Sequence, residues 1–251
     1  MYMELTHIAL AKALGQLPSD LDEMNLYIEY CPPANQVFTA QSTLDEHGNP
    51  DELTTAWRRA TQKMSIVRTF GMLWTPELFW PKQISDADPE PSWPRLKHLT
   101  VQYHIVDPAG DWIFEADHYP PYRAQLVRPR YRVPQSYGPP LEDAQPSQFR
   151  FTAMQEKMDE FYSTLAKAAT NMPKLEVLYV QAITYWGYDV VPFHMFCLLI
   201  DDYNRTARVV WSGNPRYEPS DQVLRQWRTM AYIRDLSLRF EWQPYPPRSP
   251  N

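Results

Sequence analysis

A short alternating pattern of apolar residues recurs along the chain. Copies of the spacing L-x-x-L-x-L begin at Leu21, Leu96, Leu175 and Ile233, and a looser copy spans residues 64–67. In each copy apolar and polar positions alternate, which is the period of a β-strand with one buried face. The spacing is typical of leucine-rich repeats, in which each unit supplies one strand of a curved sheet.

Four other stretches have apolar residues at helical spacing. They are residues 2–14, 50–63, 152–171 and 220–230. The third is the clearest, because its apolar positions form one stripe and Pro173 follows its end. The pattern of residues 193–211, two strand-like segments joined by turn-forming residues, predicts a β-hairpin that turns at residues 201–204.

Together these elements predict an α/β fold. We expect a short, irregular leucine-rich-repeat-like solenoid with a curved, largely parallel sheet, outer helices and long Pro-rich insertions. The expected strands are residues 24–30, 66–72, 98–104, 177–183 and 235–241. Because the copies are irregularly spaced, an ordinary α/β sheet with chance spacing is the alternative. The alternation predicts a set of buried strand residues: Leu99, Val101, Leu178, Val180, Leu236 and Leu238.

The domain organisation follows from the same pattern. We expect one domain over residues 1–251, interrupted by a Pro- and Tyr-rich insertion at residues 115–148. Proline removes hydrogen-bond donors from a β-ladder, so this insertion is not predicted to be regular sheet. Its tyrosines favour a lid that packs on something, and disorder is the alternative.

Composition and charge narrow the class of protein. The chain carries 25 Pro, 7 Gly, 9 Trp and 16 Tyr, with a net charge of −6. A nucleic-acid partner is not expected, since it requires a basic face. No apolar run reaches the length of about 20 residues that spans a bilayer. With only Cys31 and Cys197 and no secretory signal pattern, we expect a cytoplasmic protein with reduced thiols.

Several segments resemble a known group of proteins. Pro91–Val101, Pro108–Phe114, Ala166–Ala169 and Met172–Glu176 resemble the filamentous-fungal F-box and leucine-rich-repeat-like proteins. The resemblance covers roughly residues 60–242. It implies a leucine-rich-repeat-like fold but does not assign an active site.

Members of that group commonly begin with a helical F-box module that docks on a ubiquitin-ligase adaptor. Here Gln16-Leu17-Pro18 is followed directly by a strand-like repeat. The sequence therefore leaves no room for the module, and we do not expect such an adaptor as a partner.

The sequence contains no standard catalytic signature. It lacks the G-x-S-x-G, H-E-x-x-H, P-loop and G-x-G-x-x-G motifs, and its six histidines show no metal-ligand spacing. We therefore expect neither a cofactor nor a metal ion.

The predicted strand register instead places side chains on the sheet face opposite the core. The expected catalytic groups there are Gln102, His104, Tyr179 and Gln181. The expected substrate-binding residues are Trp112, Tyr185, Trp186, Arg239 and Glu241.

Two functions fit this surface. The first is a cofactor-independent small-molecule enzyme, a cyclase of the pericyclase or Diels-Alderase kind in fungal specialised metabolism, which folds a small apolar substrate in an aromatic pocket. The alternative is a protein-interaction module of the leucine-rich-repeat type, because Trp, Tyr and Arg are the residues of interface hot spots. A closed apolar pocket of about 300–1,000 Å³ favours the enzyme, and an open flat face favours the interaction module.

Overall fold

One seven-stranded sheet with helices on one face forms the body of the protein. The computed structural model describes residues 2–28, 36, 38–44, 52–82, 90–116, 150–183, 193–214 and 217–243. In this part of the chain, no helix is both long and apolar enough to cross a membrane.

The elements have the following bounds. The helices are α1 (Tyr2–Gly15), α2 (Glu52–Thr61), α3 (Gln155–Thr170) and α4 (Asp221–Ile233). The strands of the main sheet are β1 (Glu23–Tyr27), β2 (Ile66–Leu73), β3 (His98–His104), β6 (Val177–Ile183), β7 (Phe193–Asp201), β8 (Thr206–Asn214) and β9 (Ser237–Gln243). β4 (Phe114–Ala116) and β5 (Arg150–Ala153) form a separate antiparallel pair.

The order of the strands explains why the helices share one face. The sheet runs β1-β2-β3-β6-β7-β8-β9, so the chain moves along it in one direction. Each parallel crossover therefore has the same sense, and the right-handed rule puts every crossover helix on the same side. Side-chain contacts agree with this. Trp57 of α2 donates a hydrogen bond to Thr69 of β2 (2.8 Å), and Phe161 of α3 packs on Tyr103 of β3.

The α/β prediction is confirmed, and all five expected strands lie in this one sheet. The described residues contain no solenoid, however. β7 pairs antiparallel with both β6 and β8, so a hairpin interrupts the series of parallel units. The outcome is a mixed, mostly parallel sheet.

The predicted core register is confirmed in the central strands. Leu99, Val101, Leu178 and Val180 are fully or almost fully buried on the helix-covered face. The prediction is wrong for Leu236 and Leu238, which are only half-buried. The cause is their position: Leu238 belongs to the last strand of the sheet and Leu236 directly precedes that strand, so each has neighbours on one side only.

Helix α3 forms where its apolar stripe meets this core. Met158, Phe161, Tyr162 and Leu165 lie on one face of α3 and are fully buried. Helix α4 begins at the predicted Ser220, whose hydroxyl accepts a hydrogen bond from the Val223 amide. Such a cap satisfies one of the amide groups that the first helical turn leaves without a partner.

A β-bulge at Gly71 shapes the carboxyl end of β2. The register shifts between Phe70 and Met72, and Gly71 has a φ of 85°. A Cβ atom at this position would lie 2.0 Å from the backbone oxygen of Ile28. Only glycine allows both this backbone angle and this close approach.

Replacing Gly71 by alanine should therefore destabilise the sheet beside β1. We expect the free energy of unfolding to fall by at least about 1–3 kcal/mol, because a left-handed non-glycine residue is strained and the Ile28 carbonyl must move. Gly15→Ala is the matched control, since nothing lies within 4 Å of its added Cβ. Urea unfolding of both variants tests this, and equal stabilities would show that the bulge can relax.

Candidate functional site

The sheet face opposite the helices is the candidate functional site, and we call it the helix-free face. Its side chains form three rows across the seven strands. The row nearest the carboxyl ends of the parallel strands is Tyr27, Phe70, Gln102, Gln181, Met195, Ser212 and Gln243. The middle row is Asn25, Arg68, Thr100, Tyr179, Cys197, Val210 and Glu241. The third row is Glu23, Ile66, His98, Val177, Leu199, Arg208 and Arg239.

The centre of the helix-free face is apolar. Val177, Met195, Cys197, Leu199 and Val210 occupy adjoining positions of β6, β7 and β8. All are half-buried except Val210, which is buried. Their polar neighbours lie both on β6 and β8 themselves, such as Gln181 and Ser212, and on the adjoining strands β3 and β9, so an apolar centre is surrounded by polar groups. That arrangement is typical of an interaction surface.

An aromatic pair forms one end of this face. Tyr27 and Phe70 stack with their ring centroids 4.5 Å apart and their planes 10° from parallel. Phe70 is half-buried, whereas 74% of the Tyr27 surface is exposed. The stack fixes the Tyr27 ring in an orientation that a partner can contact at little cost in side-chain entropy.

Charged residues form the opposite end. Arg208 and Arg239 lie directly across from one another on β8 and β9. Glu241 is diagonal to Arg208, and the two side chains form an ion pair at 3.6 Å. The two arginines repel one another, and Glu241 offsets only part of that repulsion.

The structure brings together three of the predicted catalytic residues. Gln102 and Gln181 are paired in register on β3 and β6, and the Tyr179 hydroxyl donates a hydrogen bond to the Gln181 side-chain oxygen (3.0 Å). These groups are half-buried. They offer amide donors and acceptors beside the apolar centre, which suits recognition of a polar backbone or ligand.

His104 differs from the prediction in its environment. Its register position is on the helix-free side, but its side chain is completely buried. Burial lowers its pKa to about 4, so the imidazole is neutral at pH 7. His104 was expected to contact a substrate from an open surface, but its imidazole is buried and uncharged.

Trp112, between β3 and β4, packs against other segments of the chain. It is almost fully buried, and its indole N–H donates to the Phe38 carbonyl (3.0 Å). The Arg150 guanidinium lies over the ring, 5.4 Å from its centroid. These contacts hold the segment at residues 38–44 against the loop after β3, where the Thr43 amide also donates to the Pro108 carbonyl.

The remaining predicted residues are not gathered around the central glutamines. Arg239 and Glu241 are on β9, four strand spacings from Gln102, which is roughly 19 Å. Tyr185 and Trp186 lie outside the described residues, as does most of the 115–148 insertion.

A polar network buried among aromatic rings was not predicted. On the helix-covered side, the Tyr162 hydroxyl and His194 Nε2 are 2.6 Å apart, and both residues are buried. Tyr217 donates to the Asp159 carboxylate, which also accepts from Gln155 (3.0 Å). The sequence contains no signal for this network, because its members come from α3, β7 and the segment before α4.

Burial changes the pKa values in this network. Loss of solvation lowers the pKa of His194 to about 4. It raises the pKa of Tyr162 and of Tyr217 well above the ordinary value, and for Tyr217 the neighbouring Asp159 raises it further. Tyr162, His194 and Tyr217 are therefore uncharged at pH 7, and their burial among aromatic rings gives them a structural role in the core.

A charged groove of about 500 Å³ lies at the amino ends of the parallel strands. Two ion pairs lie in it, Arg95 with Asp22 at 2.5 Å and Lys97 with Glu176 at 3.7 Å, and His98 Nε2 is 3.3 Å from the Glu176 carboxylate. These pairs are half-exposed, so each contributes little to stability. In the described part of the chain, no group of three His, Cys, Asp or Glu residues is placed to hold a metal ion.

Comparison with known proteins returns no relative: the chain matches no protein-family model, no curated protein and no solved structure. The resemblance to fungal F-box and leucine-rich-repeat-like proteins therefore stays a prediction. The function is therefore inferred from the residues of the helix-free face.

Proposed function

We propose that this protein is an interaction module that binds a protein partner on the helix-free face. One observation carries the proposal: the described helices contact one face of a mostly parallel sheet, and the other face has an apolar centre. Parallel sheets are normally covered on both faces, because each face is rich in apolar side chains. A partner supplies the cover that the described helices do not.

The residue types on the face support a protein partner. Tyr27, Phe70 and Tyr179 give aromatic contact area, and Arg68, Arg208 and Arg239 give guanidinium groups. Tyrosine and arginine are enriched at binding hot spots. The neighbouring amides of Gln102 and Gln181 can pair with the backbone of a partner segment, which fixes its position on the apolar centre.

The shape of the surface favours the same choice. The groove of about 500 Å³ at the amino ends is lined mostly by charged groups and not by aromatic rings. The three rows of the helix-free face lie on one continuous sheet instead. A continuous sheet face of this kind suits a protein surface better than a small apolar substrate, which needs an enclosed pocket. The cyclase hypothesis stays a prediction, since its expected walls Tyr185 and Trp186 are outside the described residues.

Site-specific photo-crosslinking tests the proposal. A benzophenone amino acid replaces Tyr27 or Tyr179, and in the matched control it replaces Glu160, which is exposed on α3. In cells that make the protein, we expect one discrete adduct from both sheet positions and none from Glu160. The captured protein is then purified and must bind the unmodified chain in reconstitution.

Two outcomes contradict the proposal. The first is an adduct of equal yield from Glu160, which means that capture does not depend on the face. The second is a lack of binding by the purified partner. Turnover of an apolar metabolite by the purified chain, lost in Tyr179→Phe, is the outcome that favours the cyclase.

A further inference from the structure

The outer end of α4 and the adjoining β7–β8 turn form a second exposed aromatic surface. We call it the α4 corner and define it as residues 201–206 and 225–235. The described part of the chain leaves five large hydrophobic side chains mostly exposed, and three of them are here: Tyr203, Tyr232 and Ile233, with 93%, 85% and 57% of their surfaces exposed. This concentration at one corner is unusual, because exposed hydrophobic residues are normally scattered.

Ion pairs hold the β7–β8 turn against the turn that follows α4. Arg205 contacts the Asp235 carboxylate at 2.6 Å and also donates to the backbone carbonyls of Asp235 and Arg234. Arg234 contacts Asp202 at 3.2 Å and donates to the Leu175 carbonyl at 3.1 Å. These contacts fix the segments that carry Tyr203 and Tyr232 relative to one another.

Backbone strain marks the same two turns. Arg205 and Asp235 both have a φ of 53°, in the left-handed region that glycine normally occupies. No other non-glycine residue in the described part of the chain has a positive φ. The two strained residues bind each other directly, which keeps the strained conformation in place. Such strain is concentrated at binding and switch sites.

The exposed face of α4 gives the corner a positive character. Arg228 and Arg225 are exposed there, about one and two turns before Tyr232. Neither guanidinium pairs with a carboxylate in the described part of the chain, and Arg228 lies over the Phe240 ring at 5.4 Å. Asp221 is the one acidic residue of α4 and is in its first turn, where it complements the helix dipole. The corner holds four arginines and three aspartates; two of the aspartates pair with Arg205 and Arg234 and the third, Asp201, accepts from Asn204, so Arg225 and Arg228 leave the corner net positive.

We infer that the α4 corner is a second docking surface, which binds an acidic segment of a partner protein. Carboxylates of that segment pair with Arg225 and Arg228, and an apolar side chain packs among Tyr203, Tyr232 and Ile233. A bidentate carboxylate contact is the geometry that arginine favours. With a second surface on the helix side of the sheet, the protein can hold two partners at once. This inference stands independently of the proposed function, since it uses none of the residues of the helix-free face.

A peptide display library tests the inference. Random peptides about twelve residues long, the length of typical linear recognition segments, are panned against the intact chain. We expect the enriched peptides to combine several Asp or Glu residues with one large apolar residue. Their affinity should fall when the salt concentration is raised, because exposed charge pairs are screened.

Variants locate the binding. Arg225→Gln with Arg228→Gln, and separately Tyr232→Ala, should each weaken binding of an enriched acidic peptide by at least about tenfold. Tyr27→Ala on the helix-free face should leave the affinity unchanged. All four side chains are exposed, so the variants should fold, and identical thermal melting curves check this.

Each of the following results would overturn the inference. One is the absence of acidic peptides after panning. Another is an acidic peptide whose affinity is unaffected by the Arg225, Arg228 and Tyr232 changes. A third is tighter binding of a single-stranded oligonucleotide that depends on the arginines alone. Loss of peptide binding in Tyr27→Ala would place the peptide on the helix-free face, which would overturn the second surface while supporting the first.

Discussion

Replacing Leu178 by alanine is expected to lower the free energy of unfolding by about 2–5 kcal/mol. Leu178 is in the central strand β6 and is completely buried between the sheet and the helices. Removing its methyl groups takes away apolar burial and leaves a cavity that close-packed neighbours fill only partly. Denaturant unfolding monitored by tryptophan fluorescence gives the value directly.

Val177→Ala is the matched control for this prediction. Val177 precedes Leu178 on the same strand, but its half-buried side chain is on the helix-free face. Its truncation should cost less than about 1 kcal/mol, as at other partly exposed positions. A smaller loss for Leu178→Ala than for Val177→Ala would mean that the two faces of the sheet are assigned in reverse.

Acid should destabilise the protein through its buried histidines. His194 and His104 have folded-state pKa values of about 4, against about 6.5 in an unfolded chain. The unfolded state therefore binds protons first as the pH falls below 6.5, and the free energy of unfolding decreases until about pH 4. Between pH 7 and pH 5, each histidine should contribute a loss of about 2 kcal/mol.

His194→Gln isolates one of these contributions. The glutamine side chain can accept from the Tyr162 hydroxyl or donate to it but cannot take up a proton. Wild type and variant share all carboxylates, so the difference between their stability profiles from pH 7 to pH 5 belongs to His194. The wild-type loss should exceed that of the variant by about 2 kcal/mol. Parallel profiles would show that the imidazole is not buried in neutral form.

The fold was predicted well where the signal is local. Alternation around Leu99 and Leu178 is a property of a few neighbouring residues, and it identified both the strands and their buried face. The stripe on α3 is local in the same way. The solenoid prediction was wrong because the place of a strand in a sheet depends on pairing between distant segments. The hairpin at residues 193–211 was predicted, but nothing in that segment shows that β7 also pairs antiparallel with β6.

For the candidate site, too, the sequence predicted what depends on local pattern and not what depends on packing between distant segments. The predicted register correctly placed Gln102 and Gln181 on the same face of neighbouring strands, because the alternation along each strand fixes the face on which a side chain lies. The burial of His104 could not be predicted, since it depends on what covers the end of β3. Tyr162 on α3 and His194 on β7 are 32 residues apart in sequence, and only the packed structure brings them together.

Coverage of the helix-free face by a protein partner can be tested by comparing two arginine variants. Thr100→Arg puts a long charged side chain in the middle row of that face, whereas Glu160→Arg puts the same side chain on the outer surface of α3. The dissociation constant of the partner captured by crosslinking is measured for both by calorimetry. We expect Thr100→Arg to weaken binding by at least about 30-fold, equivalent to about 2 kcal/mol or more, and Glu160→Arg to change it by less than about twofold. Equal affinities for the two variants would contradict this expectation.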